Sequence, residues 1–298
     1  MRPVRSWRDV LTLVGFLTPA LALLGVFTIW PALWAIYQSF TNKALTGFEA
    51  RNPRFVGLQN YTRLLTDPDF HGSMLRTFAF VLLSAVVGQT IFAFAIAYLM
   101  AERPRWRLGF TPLFAAVFLL PLAVPEAVAA LLWASTANGT PEGLLNRGLG
   151  LVGAGPVEWL QAHAFETIIV VNVWRGIPFA MVLFAAAIES VPRTVLEAGL
   201  IDGASSWQQL RRVVLPILRP QILTFLMLTT ITTFGIFGLV YFLTRGGPGN
   251  VTEIIGIYIY QRAFQFFQIG LGSAAGVLLL LVLLVLGAYY VWLMREQV

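Results

Sequence analysis

Long apolar stretches dominate the pattern of residues along the chain. Each is long enough for a helix of about 20 residues, the length that crosses a hydrocarbon core of about 30 Å. A transmembrane strand would instead show about ten residues of alternating polarity, and these stretches do not alternate. We therefore predict an all-α polytopic membrane protein with six transmembrane helices at residues 10–37, 78–100, 109–134, 168–188, 221–243 and 269–294.

Composition supports a membrane protein and limits its chemistry. The 298 residues are 58% hydrophobic and only 11% charged, whereas a soluble domain carries about 25% charged residues. There is no cysteine, which excludes disulfides and thiolate metal sites. The stretch 10–37 exceeds the about 7–15 apolar residues of a signal peptide, so we predict a retained helix. No loop has the length of a further domain, so residues 1–298 are predicted to form one domain.

The distribution of arginines predicts the orientation in the membrane. If the N-terminus is cytoplasmic, the short internal segments hold most of the arginines, in agreement with the positive-inside rule. Both termini are then cytoplasmic, and the external loops span residues 41–77, 135–167 and 244–268. The net charge of +6 is not organised as a basic platform, so no nucleic acid partner is expected.

A polar segment at residues 189–220 interrupts the apolar pattern and is predicted to be cytoplasmic. Its pattern predicts a helix after Pro192 and a turn at Asp202-Gly203, followed by a second short helix capped by Ser205 or Ser206. Pro216 and Pro220 are expected to stop that second helix. The segment could be a solvated connecting loop or a docking element, and its pattern alone leaves both open.

The order of residues in this segment resembles the EAA loop of permease subunits of binding-protein-dependent ABC importers. Glu197, Ala198 and Gly203 stand at the spacing of the family, and Val213-Val214-Leu215-Pro216 occupies the place of its Ile-x-Leu-Pro. Gly199 stands where a second Ala is usual, and Val213 where Ile is usual. Further stretches are similar to the first permease subunit of the carbohydrate-uptake branch, the maltose, trehalose and glycerol-3-phosphate type: residues 55–70, 172–184 and 243–264.

The resemblance implies a set of partners. These are a second homologous permease subunit, two ATPase subunits, an external solute-binding protein and a sugar, in the cytoplasmic membrane of a bacterium or archaeon. The chain has no G-x-x-x-x-G-K-[ST] sequence, so ATP and Mg are expected on the ATPase subunits, with no cofactor or metal in this chain. The residues expected to dock the ATPase are Glu197, Ala198, Gly199, Asp202, Gly203, Ala204 and Trp207.

Several of these docking residues have a second interpretation. Glu197 and Asp202 could pair with cations of the ATPase or cap local backbone groups. Trp207 could anchor the segment in a groove or lie at the membrane interface.

Three threonines of the fifth predicted helix are candidates for substrate contact. Thr229, Thr232 and Thr233 share one helical side, and a sugar needs hydrogen-bonding partners of this kind. Threonine hydroxyls also bond to their own helix or join neighbouring helices, so the pattern alone leaves the role open. The resemblance places substrate contacts at these threonines and at Ile236, Arg175, Gly176 and Phe179.

Glu126 is an ionisable residue within an apolar stretch, which makes it a functional candidate. It could contact substrate hydroxyls, pair with Arg175, or lie near an interface after a break at Pro125. Gln89 and Asn172 are interpreted as interhelical hydrogen bonders rather than ligands.

The sequence thus predicts a transmembrane subunit of an ATP-driven sugar importer, moving a di- or oligosaccharide such as trehalose or maltose by alternating access. Import of glycerol phosphate or related polyol phosphates is the alternative substrate class. A membrane-embedded transferase enzyme and a passive channel are the alternative functional classes.

Overall fold

The computed structural model describes residues 7–101 and 111–295, and these residues form helices and loops. Their β pairing consists of an isolated bridge between Thr41 and Phe55. This confirms the predicted all-α polytopic fold. Five continuous helices are long and apolar enough to cross a bilayer, and we call them the first, second, fourth, fifth and sixth spans: Val14–Ser39, Pro68–Met100, Ala164–Glu189, Ser206–Phe234 and Ile269–Arg295. The positions of the termini relative to the membrane stay a prediction.

The third predicted helix, at residues 109–134, is not one straight helix. It consists of two helices, Thr111–Ala123 and Glu126–Thr136, which meet at an angle of 115°. Pro125 lacks an N–H group and disfavours helical backbone at the residue before it, so the helix breaks there. We call these two helices the bent pair. The described residues therefore contain six spans only if the bent pair is counted as one.

The fifth predicted helix, at residues 221–243, is displaced along the chain. The fifth span begins at Ser206 and ends at Phe234, and residues 235–237 separate it from the helix Gly238–Thr244. The expectation that Pro216 and Pro220 would stop the preceding helix is wrong. A π-helical turn, Leu210–Val214, precedes Pro216, which then occupies an early position of the next α-helical segment, where its missing N–H is tolerated.

Shorter helices occupy the connections between the spans. They are Phe48–Arg51, Gln59–Thr66, Leu144–Leu151, Trp159–Ala162, Arg193–Ile201, Gly238–Thr244 and Ile255–Tyr260. Further π-helical turns occur at Gly25–Ile29, Val81–Gln89 and Gln261–Gln265. The turn Val81–Gln89 lies within the second span and ends at a residue that lines the cavity described below.

The described residues fold as two compact units, those within residues 1–67 and 259–280, and those within residues 68–258 and 281–298. We call these unit 1 and unit 2. In unit 2 the helix Gly238–Thr244 packs against Glu126–Thr136, and the second span packs along the fourth. The buried core of this region is apolar: Phe80, Ala129, Ala130, Ile168, Val171, Leu239, Val240, Leu243, Ile254 and Ile257. The prediction of a single domain over residues 1–298 stays a prediction.

Polar contacts organise unit 1. Asn60 Nδ2 donates to the Thr41 carbonyl at 2.8 Å, and Arg262 pairs with Asp67 at 3.2 Å. Gly270 lies so close to Thr41 that a Cβ atom would stand 2.0 Å from the Thr41 carbonyl oxygen. The first span contributes little to burial, since none of the residues in its most apolar window is buried.

The connection between the bent pair and the fourth span is held by one side chain in unit 2. Asn146 is 4% exposed and makes five hydrogen bonds. Its Nδ2 donates to the carbonyls of Asn138, Thr140 and Val157 at 3.0–3.1 Å. Its Oδ1 accepts from the Val157 N–H at 3.0 Å and from Trp159 Nε1 at 2.9 Å. This asparagine ties the helix Leu144–Leu151 to the segment that follows it.

Replacing Asn146 should loosen this loop. Asn146→Ala leaves several buried donors and acceptors without partners, at a cost of about 1–3 kcal/mol each, so we expect faster amide exchange and proteolysis in residues 138–160 and a lower melting temperature. Hydrogen exchange and limited proteolysis of the purified protein measure this. Asn52→Ala, at an exposed asparagine, is the matched control and should leave both unchanged. Equal protection of the loop in the Asn146 and Asn52 variants would contradict this structural role.

Candidate functional site

A cavity of about 320 Å³ lies in unit 2 among the second, fourth and fifth spans and the bent pair. This volume falls within the range of small-molecule sites, about 300–1,000 Å³. Its walls combine apolar and polar side chains. The lining residues are Gln89, Pro121, Leu122, Asn172, Arg175, Gly176, Phe179, Leu228, Thr229, Thr232, Thr233 and Ile236.

Two helix interruptions border the cavity. Pro121 lies just before the break of the bent pair, and Ile236 lies in the break after the fifth span. The fourth span is continuous, although its Pro178 cannot donate to the carbonyl four residues earlier. Irregular backbone at membrane depth is tolerated where it is buried in protein or lines a cavity. The cavity therefore lies where the helix interruptions can be tolerated.

Gln89 joins three helices at the wall of the cavity. Its Nε2 donates to the Asn172 carbonyl at 3.0 Å, and its Oε1 accepts from Thr229 Oγ1 at 2.7 Å. Asn172 Nδ2 in turn donates to Ser84 Oγ at 2.7 Å. Gln89 and Asn172 are buried, so the second, fourth and fifth spans share one polar network. The interpretation of both amides as interhelical hydrogen bonders agrees with this geometry.

The three threonines meet at the cavity but differ in their bonds. Thr229 donates to Gln89, whereas Thr232 donates to the carbonyls of Leu228 and Thr229 at 2.9 and 3.2 Å. Both alternatives left open by the sequence are thus present, helix joining at Thr229 and bonding to its own helix at Thr232. Because a hydroxyl has two acceptor lone pairs, both oxygens can still accept from a ligand.

Glu126 and Arg175 form an ion pair beside the cavity. Arg175 Nη1 lies 3.8 Å from Glu126 Oε1, and each side chain is 33% exposed. Arg175 lines the cavity, and Glu126 is not among the described residues that do. Glu126 also lies beside the start of the helix Gly238–Thr244, since a Cβ atom on Gly238 would stand 2.9 Å from Glu126 Oε2. Of the alternatives for Glu126, the structure shows the ion pair.

The cavity is lined by seven of the residues predicted from the sequence to contact substrate: Arg175, Gly176, Phe179, Thr229, Thr232, Thr233 and Ile236. The eighth, Glu126, does not line it but pairs with Arg175. Sequence reasoning missed Pro121, Leu122 and Leu228, which complete the wall. The spacing of Pro121 and Pro125 was a usable signal, since two prolines four residues apart favour a break. Their roles toward a substrate stay a prediction.

The predicted docking segment forms a helix–turn–helix. Arg193–Ile201 is the first helix, and Ser205 caps the second in a capping box with Gln208. Between them the Gly203 N–H donates to the Leu200 carbonyl and the Ala204 N–H to the Gly199 carbonyl, at 3.1 and 2.9 Å. Gly203 has φ +76°, and a Cβ atom there would meet nothing within 4 Å in the described part of the chain. The turn is thus closed by backbone bonds and open on its outer side.

At residues 197–207 the surface of this segment is apolar and acidic. Leu200, Ile201 and Trp207 are 63%, 87% and 66% exposed. Glu197 and Asp202 are also exposed, and the described residues provide neither carboxylate with a hydrogen bond or an ion pair. The local capping alternative for these two acids thus finds no support. Leu196 and Leu210 instead pack against the buried residues Ala187, Val191, Val214 and Leu218, which fixes the segment on the fourth and fifth spans.

Residues 89–296, which include the cavity and the helix–turn–helix, match the family described as binding-protein-dependent transport system inner membrane component. The chain belongs to this family. The predicted recognition of an importer permease is confirmed, and the chain is a multi-pass membrane component of a transport system. The alternative of a membrane-embedded transferase is not supported, because the family consists of transport components.

Individual relatives agree with this assignment. The chain is 34% identical over 265 residues to the trehalose/maltose transport system permease protein MalF of Thermococcus litoralis, covering 87% of this chain and 85% of that protein. It is 30% identical over 286 residues to the sn-glycerol-3-phosphate transport system permease protein UgpA of Brucella abortus, covering 95% and 94%.

The fold is similar to a chain in the crystal structure of a bacterial alginate ABC transporter in complex with an alginate pentasaccharide-bound periplasmic protein. The TM-score is 0.82 at 21% identity, and the match covers 98% of each chain. This likeness supports the all-α membrane fold.

Gly176 should be intolerant of a side chain because Gln89 occupies its space. A Cβ atom on Gly176 would stand 2.1 Å from Gln89 Cδ, and overpacking of this kind costs about 1–3 kcal/mol. We expect Gly176→Ala to lower the melting temperature in detergent, whereas Gly287→Ala, with nothing within 4 Å, should not. The double variant Gly176→Ala/Gln89→Ala removes the obstacle and should recover part of the loss. A double variant less stable than either single variant would contradict the contact.

Proposed function

We propose that this protein is the membrane pore subunit of an ATP-driven ABC importer that carries a sugar, with a disaccharide such as trehalose or maltose as the expected cargo. The observation that carries the proposal is the cavity itself, which lies at the interruptions of spanning helices and is lined by threonines, Arg175 and Phe179. Transporter sites form at such interruptions near the middle of the membrane.

The chemistry of the wall suits a hydroxyl-rich ligand. Thr229 and Thr232 offer oxygen acceptors, Arg175 offers N–H donors, and Phe179 offers a flat apolar face that is 49% exposed. A sugar presents hydroxyls that both donate and accept, together with apolar C–H faces. The names of two relatives, for trehalose/maltose and for sn-glycerol 3-phosphate transport, support a polyhydroxylated cargo.

The proposed assembly contains partners for both faces of the membrane. It consists of this chain, a second homologous permease subunit, two ATPase subunits that bind ATP and Mg, and an external binding protein, in a bacterial or archaeal cytoplasmic membrane. The exposed apolar and acidic surface at residues 197–207 supports ATPase docking, because a short amphipathic helix fits a groove on a partner. Closure of the ATPases would then move the fourth and fifth spans as a rigid body.

Glycerol phosphate or a related polyol phosphate is the second candidate cargo. It is favoured by Arg175, the cationic residue among those that line the cavity, and by the similarity to UgpA. Measuring the uptake of labelled sugar and of labelled glycerol 3-phosphate distinguishes the two cargoes.

Uptake by the assembled transporter tests the function. The chain is co-expressed with its partner subunits, reconstituted in proteoliposomes with binding protein, and given labelled trehalose, maltose or glycerol 3-phosphate. We expect accumulation of trehalose or maltose that requires both ATP and the binding protein. Accumulation of glycerol 3-phosphate alone would select the second candidate, and flux without ATP would indicate a passive channel.

Gly203 provides a test of docking. Because asparagine tolerates positive φ, Gly203→Asn should keep the turn while adding bulk on its open side, and we expect insertion to be normal but uptake and ATPase stimulation to fall about tenfold or more, as loss of a contact of about 1.4 kcal/mol implies. Gly153→Asn, also at positive φ with nothing within 4 Å, is the matched control. Normal coupling in the Gly203 variant at normal expression would remove the docking role of this turn.

A further inference from the structure

The charge of Arg175 raises the question of which cargo the cavity accepts. An arginine on the wall of a cavity within a membrane protein would by itself attract anions, because the surroundings screen its charge poorly. Here the charge is not isolated. Glu126 Oε1 lies 3.8 Å from Arg175 Nη1, and the two side chains are equally exposed.

Glu126 is positioned by the two interruptions rather than by the cavity wall. It is the first residue after the break of the bent pair, and its Oε2 lies in the space that a Cβ atom would need on Gly238, the first residue of the helix that follows the fifth span. Any side chain on Gly238 would push the carboxylate away. Since Glu126 does not line the cavity, its carboxylate acts on a ligand through its charge rather than by contact, and that charge offsets the charge of Arg175.

The hydrogen bonds of the cavity wall also disfavour an anionic ligand. The hydroxyl hydrogens of Thr229 and Thr232 are already donated to protein acceptors, so these residues present oxygen lone pairs to the cavity. A phosphate is an acceptor that is mostly doubly charged at neutral pH, and it finds no donor at these two positions. A sugar hydroxyl can donate to them.

We propose that Glu126 is a specificity-determining residue that cancels the charge of Arg175, so that the cavity accepts uncharged, hydroxyl-rich ligands and discriminates against their anionic forms. Glu126 thus acts by its charge and not by contact with the ligand, and Arg175 retains its N–H donors for ligand hydroxyls. The inference rests on the proposed sugar-import function and specifies the charge of the cargo.

Equilibrium binding to the assembled transporter in nanodiscs, without binding protein, tests the inference. The probes are trehalose and maltose, each compared with its monophosphate, and the measured quantity is the ratio of the two dissociation constants. We expect the wild-type transporter to favour the neutral sugar. Glu126→Gln keeps the shape but unmasks Arg175, and should shift the ratio toward the monophosphate by about tenfold, a shift that shrinks at high salt.

Matched variants separate charge from structure. Glu126→Asp should retain the wild-type ratio, and Glu166→Gln, at an exposed acid near the start of the fourth span that also holds Arg175, should have no effect. Arg175→Gln leaves Glu126 uncompensated and should shift the ratio in the opposite direction. The double variant Glu126→Gln/Arg175→Gln is neutral again and should discriminate as the wild type does.

Each outcome bears on the inference. If Glu126→Gln weakens neutral and anionic probes equally, Glu126 is merely structural and the inference falls. If that variant does not insert, Arg175→Gln and the double variant still differ only by the charge of Glu126, and equal ratios for these two would overturn the inference. A wild-type transporter that binds no neutral sugar would instead overturn the proposed function, whereas sugar binding with unchanged discrimination in Glu126→Gln overturns the inference alone.

Discussion

A helix inside a bilayer can end only where its freed backbone groups find other partners, and this constraint determines where the cavity lies. Each unsatisfied N–H or carbonyl in hydrocarbon costs several kcal/mol. In unit 2 the bent pair breaks at Pro125, and the fifth span ends before Gly235. The same region that shelters these ends from lipid contains the threonines and Arg175. Interrupted backbone and ligand chemistry are therefore two aspects of one arrangement.

Within that region, small residues decide which side chains can meet. Gly176 leaves room for Gln89, which binds the second, fourth and fifth spans together, and Gly238 leaves room for Glu126. Neither glycine is needed for an unusual backbone angle, because neither has a positive φ. Their function is to allow close approach, so polar groups reach one another across helices whose surfaces are otherwise apolar.

The sequence was informative about what a bilayer requires and less so about local breaks. Apolar length alone predicted the first, second, fourth and sixth spans, and the spacing around Glu197 and Gly203 predicted both the family and the helix–turn–helix. Pro121 and Pro125 indicated a break, but the 115° angle between the two helices could not be predicted, because hydrophobicity does not reveal direction. The π-helical turn Leu210–Val214 was equally invisible, since it has no compositional signature, and it allows Pro216 and Pro220 to lie within a continuous helix. The ion pair of Glu126 was one of three alternatives, and only the packing of Gly238 and Arg175 around it could select one.

The continuity of the fifth span has a mechanical consequence. From Ser206, beside the turn at Gly203, to Thr229 the helix is unbroken and measures about 35 Å at about 1.5 Å per residue. The fifth span can therefore transmit a movement from its predicted cytoplasmic end to the cavity. A tilt of the helix by about 10° about its Ser206 end would displace the threonines by about 6 Å. Because the helix ends soon after Thr233, the segment Gly238–Thr244 need not follow this swing, so the threonines can move while the packing of that segment against Glu126–Thr136 stays in place.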